Sequence, residues 1–523
     1  MHLFDPIKLE IFKNIFSSIA EEMGMALCRS AYSPNIKERR DCSCALFDAE
    51  GQMVAQAAHL PIHMGAMPYS VKSAIKAIRI DKGDTIVLND PFQGGTHLPD
   101  LTMISPVYIG RTLRFYVANR AHHADIGGMS PGSLPLSQEI FQEGIRIPPL
   151  KLSRRGSIQE DLLNLILANV RTPQERKGDL LAQFAANGLG EQRLMEVAFK
   201  YSYDEVISYM RALQDYACRM TEKAIEDIPD GTYSFEDFLD NDGLSDTPVR
   251  IHVTVHVKGK RAKIDFSKSS FQMKGCMNAT LAITLSAVYY VFRCLSPLDT
   301  PSNEGCMYPL EVIAPLGTVV NAQFPSAVAG GNVEVSQRIV DVLLGALSGA
   351  VSHRIPAASS GSMNNITIGG LDAKEGTMFT YYETIAGGSG ASCDRDGEDA
   401  VHTHMTNTMN TPIEALENAY PLRVLRYEIR KESGGKGLHT GGCGIRRDIQ
   451  LLTNCEVTVL SDRRKFPPYG LQGGSPGKLG KNILISKKKA RDLGGNFTVS
   501  GKKGDVISIR TPGGGGFGKR SKD

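Results

Sequence analysis

Residues 101–119, LTMISPVYIGRTLRFYVAN, are two β-rich runs joined at Gly110–Arg111, and this hairpin constrains the chain more than any other stretch. The open ends of an antiparallel hairpin lie side by side. Here GGTHLPD leads in and HHADIGG leads out. His97 and Asp100 therefore arrive where His122, His123 and Asp125 depart, and residues distant in sequence come within cross-strand reach. The turn leaves the parity open by one residue, so the hairpin alone does not choose between His122 and His123. Two imidazoles and a carboxylate converging on one point make a divalent-metal site, and such donors suit Zn²⁺, Mn²⁺ or Fe²⁺. Three protein ligands leave positions for water or substrate. Gly94–Gly95 and Gly127–Gly128 let the backbone approach closely on either side. The same ligand types serve iron oxygenases, so the donors alone do not fix a reaction.

The rest of the chain reads as α+β: a large multi-layer enzyme subunit with a long N-terminal helix, central β-hairpins and helices, and a β-rich C-terminal part. Asp5-Pro6 starts a helix over 6–31, with Asp as N-cap and apolar residues at helical spacing from Ile7 to Met23. CSCALFDAEGQMVAQA reads as a hairpin, 68–79 as a helix and DTIVLND as a buried strand. The pattern is mostly helical over 156–229, then a hairpin turns at Gly259–Lys260, and helices fall at 279–294 and 336–352. Four parts are expected: 1–155 with the metal hairpin, a helical segment at 156–230, a central α/β substrate-site domain at 231–415, and a β-rich, glycine-rich domain at 416–523. At 523 residues the chain exceeds one small core.

Charge excludes some functions. With 59 basic and 56 acidic residues the net charge is +3, which gives no reason to expect nucleic acid or an anionic membrane as partner. No apolar run approaches the roughly 18 residues of a membrane span, and the amphipathic N-terminus does not read as a signal peptide. The ten scattered cysteines read as reduced thiols in a cytoplasmic protein. GLQGGSPGKLG at 470–480 has Leu479 after Lys478, where a phosphate-binding loop needs Ser or Thr. If the chemistry uses ATP, another chain is expected to bind it.

Three further stretches carry polar groups. QAAHLPIHMGAMP offers His59 and His63, with Pro61 between them disfavouring one helix face. GGNVEVSQRI places Asn332, Glu334 and Gln337 at a helix start, Glu334 as a general base or an N-terminal helix charge. YYETIAGGSGASCDRDGEDAVHTHMTNTMNTP, with His402, His404 and Asn407, reads as a substrate-facing wall or a polar surface loop.

SPNIKERRDCSCALFD, HLPIHMGAMP, NDPFQGGTHLPDLT, HHADIGG, NEGCMYPLEV, AGGNVEVSQR, THMTNTMNTPIEALE and SGGKGLHTGGCG resemble the motifs of the hydantoinase B/oxoprolinase family, from about residue 5 to 518. The resemblance implies a B subunit of an ATP-dependent N-methylhydantoinase or 5-oxoprolinase, similar also to subunits of acetone and acetophenone carboxylases. It implies a companion A subunit with an actin-like ATPase fold that holds ATP and Mg²⁺, in a hetero-oligomer such as a heterotetramer. The carboxylase relatives hold a divalent metal by a histidine, an aspartate three residues on, and a histidine after the next hairpin. Carried over, these are His97, Asp100 and His122, which chooses His122 over His123. His123 and Asp125 would then support the ligands. Glu334 or His404 would relay protons, and His59, His63, Asn332, Gln337 and Asn407 would face substrate or support the site. Three readings follow: a cyclic-amide hydrolase subunit, which the resemblance favours; a ketone-type carboxylase subunit; and a non-catalytic scaffold with a structural metal.

Overall fold

The computed structural model describes residues 4–57 and 60–520. Helix α1, Pro6–Ser30, opens where Asp5 accepts the Ile7 N–H and Pro6 sets the first turn. The short helix α2 (Pro34–Lys37) leads to strands β1 (Cys42–Asp48) and β2 (Met53–Gln56), and α3 (Ala66–Ala77) follows. Strands β3 (Thr85–Leu88), β4 (Asp100–Ile109), β5 (Thr112–His122), β6 (Leu150–Arg154) and β7 (Ser157–Ile158) come next. These strands form one sheet in the order β2-β1-β5-β4-β3-β6-β7.

Both faces of that sheet are covered, so β1 and most of β4 and β5 are buried, polar residues such as Asn119 and Arg120 included. Helices α4 (Glu160–Ala168), α5 (Pro173–Tyr201) and α6 (Tyr203–Glu226) follow the sheet in sequence. Cys42, Cys44, Leu46, Phe115 and Val117 pack with Phe12 and Phe16 of α1 and with residues of α5 and α6. Ala45, Phe47, Ile104 and Ala118 turn the other way, onto Val71 and Ala74 of α3. The helical segment 156–230 thus shares a core with the N-terminal sheet instead of standing apart.

The central layer is strands β8 (Gly231–Leu239), β9 (Val249–Lys258) and β10 (Arg261–Asp265), helix α7 (Leu281–Leu295), strand β11 (Leu310–Ile313) and helix α8 (Ser336–Val351). Its sheet runs β11-β10-β9-β8. On β9, Ile251, Val253 and Val255 are buried against Ile339, Leu343 and Leu347 of α8 and Val288 and Phe292 of α7, each such side chain contributing about 1.5–3 kcal/mol.

The last part comprises β12 (Asn365–Asp372), β13 (Thr377–Thr384), α9 (Ile413–Ala419), β14 (Leu422–Ile429), β15 (Ile445–Leu451), β16 (Cys455–Leu460), β17 (Lys481–Ser486), β18 (Lys489–Asp492), β19 (Phe497–Gly501) and β20 (Val506–Arg510). Two sheets, β13-β12-β16-β19 and β14-β15-β20-β17-β18, enclose a common core that includes Ile366, Ile368, Val457, Ile449 and Ile507. Here the expected boundary at 415/416 needs correction. β12 lies before it and β16 after it, yet they pair from Asn365↔Leu460 to Gly370↔Cys455, so one structural unit runs across residue 415. Periodicity marks strands but not their partners. Among the described residues no helix is long and apolar enough to cross a membrane.

Candidate metal centre

Asn89 at the end of β3 holds the loop that returns to β4. Its amide donates to the Leu98 and Ile145 carbonyls at 2.8 and 3.0 Å, and its oxygen accepts the Ile147 N–H at 2.7 Å. Gly95 N–H donates to the Asp90 carbonyl at 2.7 Å. A Cβ on Gly95 would lie 2.3 Å from the Asn89 carbonyl oxygen, so glycine is required for this approach. Gly95→Ala is expected to displace His97 and weaken divalent-metal binding by at least about 10-fold, the scale of losing a ligand-orienting group. Titration calorimetry with Zn²⁺ or Mn²⁺ checks this, and wild-type affinity would contradict it.

The hairpin parity is set by a bulge. Ile109 pairs with Thr112 and Tyr108 with Leu113, but Val107 pairs with Phe115. Arg114 is the extra residue, and its guanidinium lies over the Tyr203 ring, 3.6 Å from the centroid. The shift brings His122 opposite Asp100. Without it Ala121 would stand there, and His122 would turn to the other face.

His97, Asp100 and His122 are buried, and one ligand atom from each lies within 4.8 Å of the others. His97 Nδ1 is 3.1 Å from Asp100 Oδ2, and His122 Nδ1 is 3.3 Å from Asp100 Oδ1. Thr96 donates to Asp100 Oδ2 at 2.7 Å. The ring of His122 stacks on Tyr382 with centroids 4.3 Å apart. Its backbone is clamped on both sides: the N–H donates to the Asp41 carbonyl at 3.0 Å, and the carbonyl accepts from Asn35 at 2.6 Å. Burial pushes the Asp100 carboxyl up, but His97, His122 and His63 more than offset it and hold it well below the ordinary carboxylate range. Burial lowers the imidazole of His122, keeping it neutral with a lone pair to give. Its Nε2 is buried without a hydrogen-bond partner. An ionised carboxylate beside the neutral His122 imidazole, with an unsatisfied buried nitrogen, is a donor set that a divalent cation fits.

His63 also reaches this cluster. Pro61 begins a single 3-10 turn, Pro61–His63, rather than an α-helix, and this aims His63 Nε2 at Asp100 Oδ2, 3.5 Å away. Its Nδ1 is 2.8 Å from Ser43 Oγ. His59 lies outside the described residues. His123 faces α5 instead, with Nε2 2.9 Å from Gln183 Oε1. Asp125 is taken up by Arg171, whose backbone and side chain each donate to it at 2.8 Å. The side-chain hydrogen bonds of these two residues go to the surrounding segments rather than to His97, Asp100 or His122.

The GGNVEVSQRI segment forms one wide π turn, Gly331–Val335, before α8. Asn332 Nδ2 comes to 3.5 Å from His97 Nε2. Glu334 lies one layer behind. It accepts from Asn365 Nδ2 at 3.3 Å; Asn365 in turn accepts from the Tyr382 hydroxyl at 2.9 Å, and Tyr382 stacks on His122. Gln337 donates to the Thr403 carbonyl at 3.1 Å. His404 Nδ1 sits 3.3 Å from the Tyr290 hydroxyl, away from the ligand cluster. Asn407 lines a cavity of about 300 Å³ with Leu60, Pro61, Met64 and Tyr290, bordering the turn that carries His63. Sequence reasoning misses Thr96, Asn365 and Tyr382, although all three lie in or beside stretches rich in polar residues.

Burial pushes the Glu334 carboxyl from 4.5 up to about 7. A carboxyl raised in the folded state contributes stability that is present below the unfolded value and lost as pH rises through the folded one. Glu334→Gln is therefore expected to reduce the loss of thermal stability between pH 4.5 and about 7. Melting curves across that range check it, and an unchanged slope would contradict it.

Fold and site together define a large α+β chain with a buried two-histidine, one-aspartate cluster at the mouth of a β-hairpin. The chain belongs to the hydantoinase B/oxoprolinase family, whose model matches residues 5–520. It is 41% identical over 520 residues to the uncharacterized protein MJ0963 of Methanocaldococcus jannaschii, covering 98% of this chain and 91% of that one. It is 40% identical to the 5-oxoprolinase of Dictyostelium discoideum, covering 99% of this chain and 40% of that protein's length. The chain thus spans about two fifths of that relative. The crystal structure of an ATP-dependent caprolactamase from Pseudomonas jessenii superposes with TM-score 0.92 and 29% identity over 99% of this chain and 92% of the other. A nucleotide-free acetone carboxylase has the same fold, with TM-score 0.91 at 19% identity over 98% of this chain and 76% of that one.

Proposed function

We propose that the chain is the B-type subunit of an ATP-dependent cyclic-amide hydrolase, acting on a hydantoin, 5-oxoproline or another lactam activated by phosphorylation in a companion ATPase subunit. The observation that carries this reading is the buried His97–Asp100–His122 cluster, in a chain similar over its length to a caprolactamase and to one part of 5-oxoprolinases. The 5-oxoprolinase of D. discoideum has three fifths of its length beyond the matched part, which is room for a companion activity. This chain lacks a complete phosphate-binding loop of the GxxxxGK[ST] type.

An unstrained amide resists attack because its resonance must be lost. Phosphorylation of the amide oxygen supplies a leaving group. A divalent cation on His97, Asp100 and His122 would supply Lewis-acid polarisation. The chain's own residues do the rest. Thr96 fixes the Asp100 carboxylate, Tyr382 fixes the His122 ring, and Asn332 presents its amide beside His97. His63, neutral and oriented by Ser43, moves a proton at Nε2 on the near side. Glu334, with a carboxyl near neutrality, stores one behind Asn365 and Tyr382.

The test is turnover of 5-oxoproline, hydantoin and caprolactam with ATP, the companion subunit and labelled bicarbonate. Ring-opened product with ADP, and no label in it, is the expected result. Label incorporated into product would replace this reading with the carboxylase one. Equal turnover by the companion alone would make the chain a scaffold.

A further inference from the structure

On the helical side of the seven-stranded sheet, Cys28 near the end of α1 and Cys42 at the head of β1 face each other with their sulfurs 3.6 Å apart. Cys42 is fully buried, whereas Cys28 lines a surface cavity of about 480 Å³. The charged groups lining that cavity are Arg29, Lys37 and Arg40 against the single carboxylate of Glu38. The hydrogen bond with Cys42 and the nearby Arg40 lower the Cys28 thiol against the opposing effect of burial, while the Cys42 thiol is raised. One sulfur is thus half-buried at the edge of a surface cavity and inclined to ionise, and the other is shielded and protonated. That is the division of labour between an attacking and a resolving thiol.

We propose that Cys28 and Cys42 are a dithiol that a hydroperoxide converts to a disulfide, and that the crosslink alters the segment holding His122. The Cys28 thiolate attacks the peroxide oxygen; the S–O bond forms, the O–O bond breaks, and the leaving alkoxide takes a proton to depart as an alcohol or water. The Cys42 sulfur then attacks the Cys28 sulfur; the S–S bond forms and the S–O bond breaks. The proton of Cys42 leaves with the hydroxide as water. Two thiols lose two electrons, and the peroxide gains them. A disulfide needs sulfurs at about 2.05 Å, so the two must close by well over an ångström. Cys42 directly follows Asp41, whose carbonyl holds the His122 N–H, and α2 between the two cysteines carries Asn35, which holds the His122 carbonyl. The movement therefore falls on both clamps of His122. Only the consequence for chemistry rests on the proposed function; the crosslink and the backbone change do not.

The experiment treats the full chain with a modest excess of hydrogen peroxide, maps crosslinked peptides by mass spectrometry, and follows amide hydrogen exchange. The exposed Cys294 and Cys393 serve as internal standards. The expected result is a Cys28–Cys42 crosslink formed at least 10-fold faster than oxidation of either standard. Faster exchange in 34–42 and 117–123 accompanies it, and dithiothreitol reverses both. Cys42→Ser should leave Cys28 oxidised without a crosslink, and Cys28→Ser should leave Cys42 unreacted. A Cys28 no faster than the standards, or sulfinic acid at Cys28 in the wild type without a crosslink, overturns the dithiol. A crosslink with unchanged exchange at 117–123 overturns its coupling to His122.

Discussion

Replacing His97 with alanine is expected to abolish tight divalent-metal binding and to lower ATP-coupled lactam turnover by more than about 100-fold. Losing an outer group that merely orients a ligand already costs 10–100-fold, and His97 supplies a donor itself. It has no substitute of equal placement, because His63 faces Asp100 from farther away, at 3.5 Å rather than 3.1 Å. The variant leaves Asp100 with His122 and Thr96, so the loop keeps its anchors through Asn89 and Gly95, and circular dichroism should report an intact fold. His123→Ala is the matched control. It removes an imidazole adjacent in sequence to His122 but directed at Gln183, and it should cost stability while leaving metal content unchanged. Metal loss in both variants alike would mean that the whole hairpin mouth, rather than its three donors, is responsible.

Arg338→Ala is expected to destabilise the protein by about 3–5 kcal/mol, the cost of removing one partner from a buried ion pair. Arg338 on α8 is fully buried. It reaches Asp237 of β8 at 2.8 Å and Asp462, just beyond β16, at 2.5 Å. Arg463 in turn holds Asp237 and Asp341. This network ties the central sheet, α8 and the C-terminal sheets together. Asp462 is already pushed up by burial and by Asp240, with Arg338 opposing; without the guanidinium it would be pushed higher still. Arg338→Met, which keeps volume while removing charge, still strands the carboxylates and is expected to fall between wild type and alanine. Thermal melts of the three proteins check the order. An alanine variant that melts with wild type would contradict the network's role. Because α8 continues directly from the turn bearing Asn332 and Glu334, the same variant should also weaken turnover.

The elements that were legible from sequence are those whose signal is local. Asp5-Pro6 starts α1 as its capping chemistry requires, and the hairpin 101–119 appears with its turn at Gly110–Arg111. The choice between His122 and His123 was not local. It depends on a single bulged residue, Arg114, held by a tyrosine from a helix about ninety positions away in sequence. Pro61 argues against an α-helix at His63, and that argument holds. A 3-10 turn satisfies the proline and still aims the ring at Asp100. Tyr382 and Asn365 could not be placed, because their approach to His122 and Glu334 comes from the pairing of β12 with β13 and from packing across layers. The same long-range pairing carries one sheet across residue 415, where composition alone suggests a division.

X-ray absorption at the metal edge of the purified chain, loaded in turn with Zn²⁺ and Mn²⁺, addresses the cluster most directly. The expected spectrum shows about one tightly held ion per chain with two imidazoles, one carboxylate and the remaining positions filled by water-type oxygens. It should be lost in Asp100→Asn. A wild-type chain that holds no ion, yet opens a lactam with ATP and the proposed companion subunit, would contradict the metal reading and leave GGTHLPD as a structural turn.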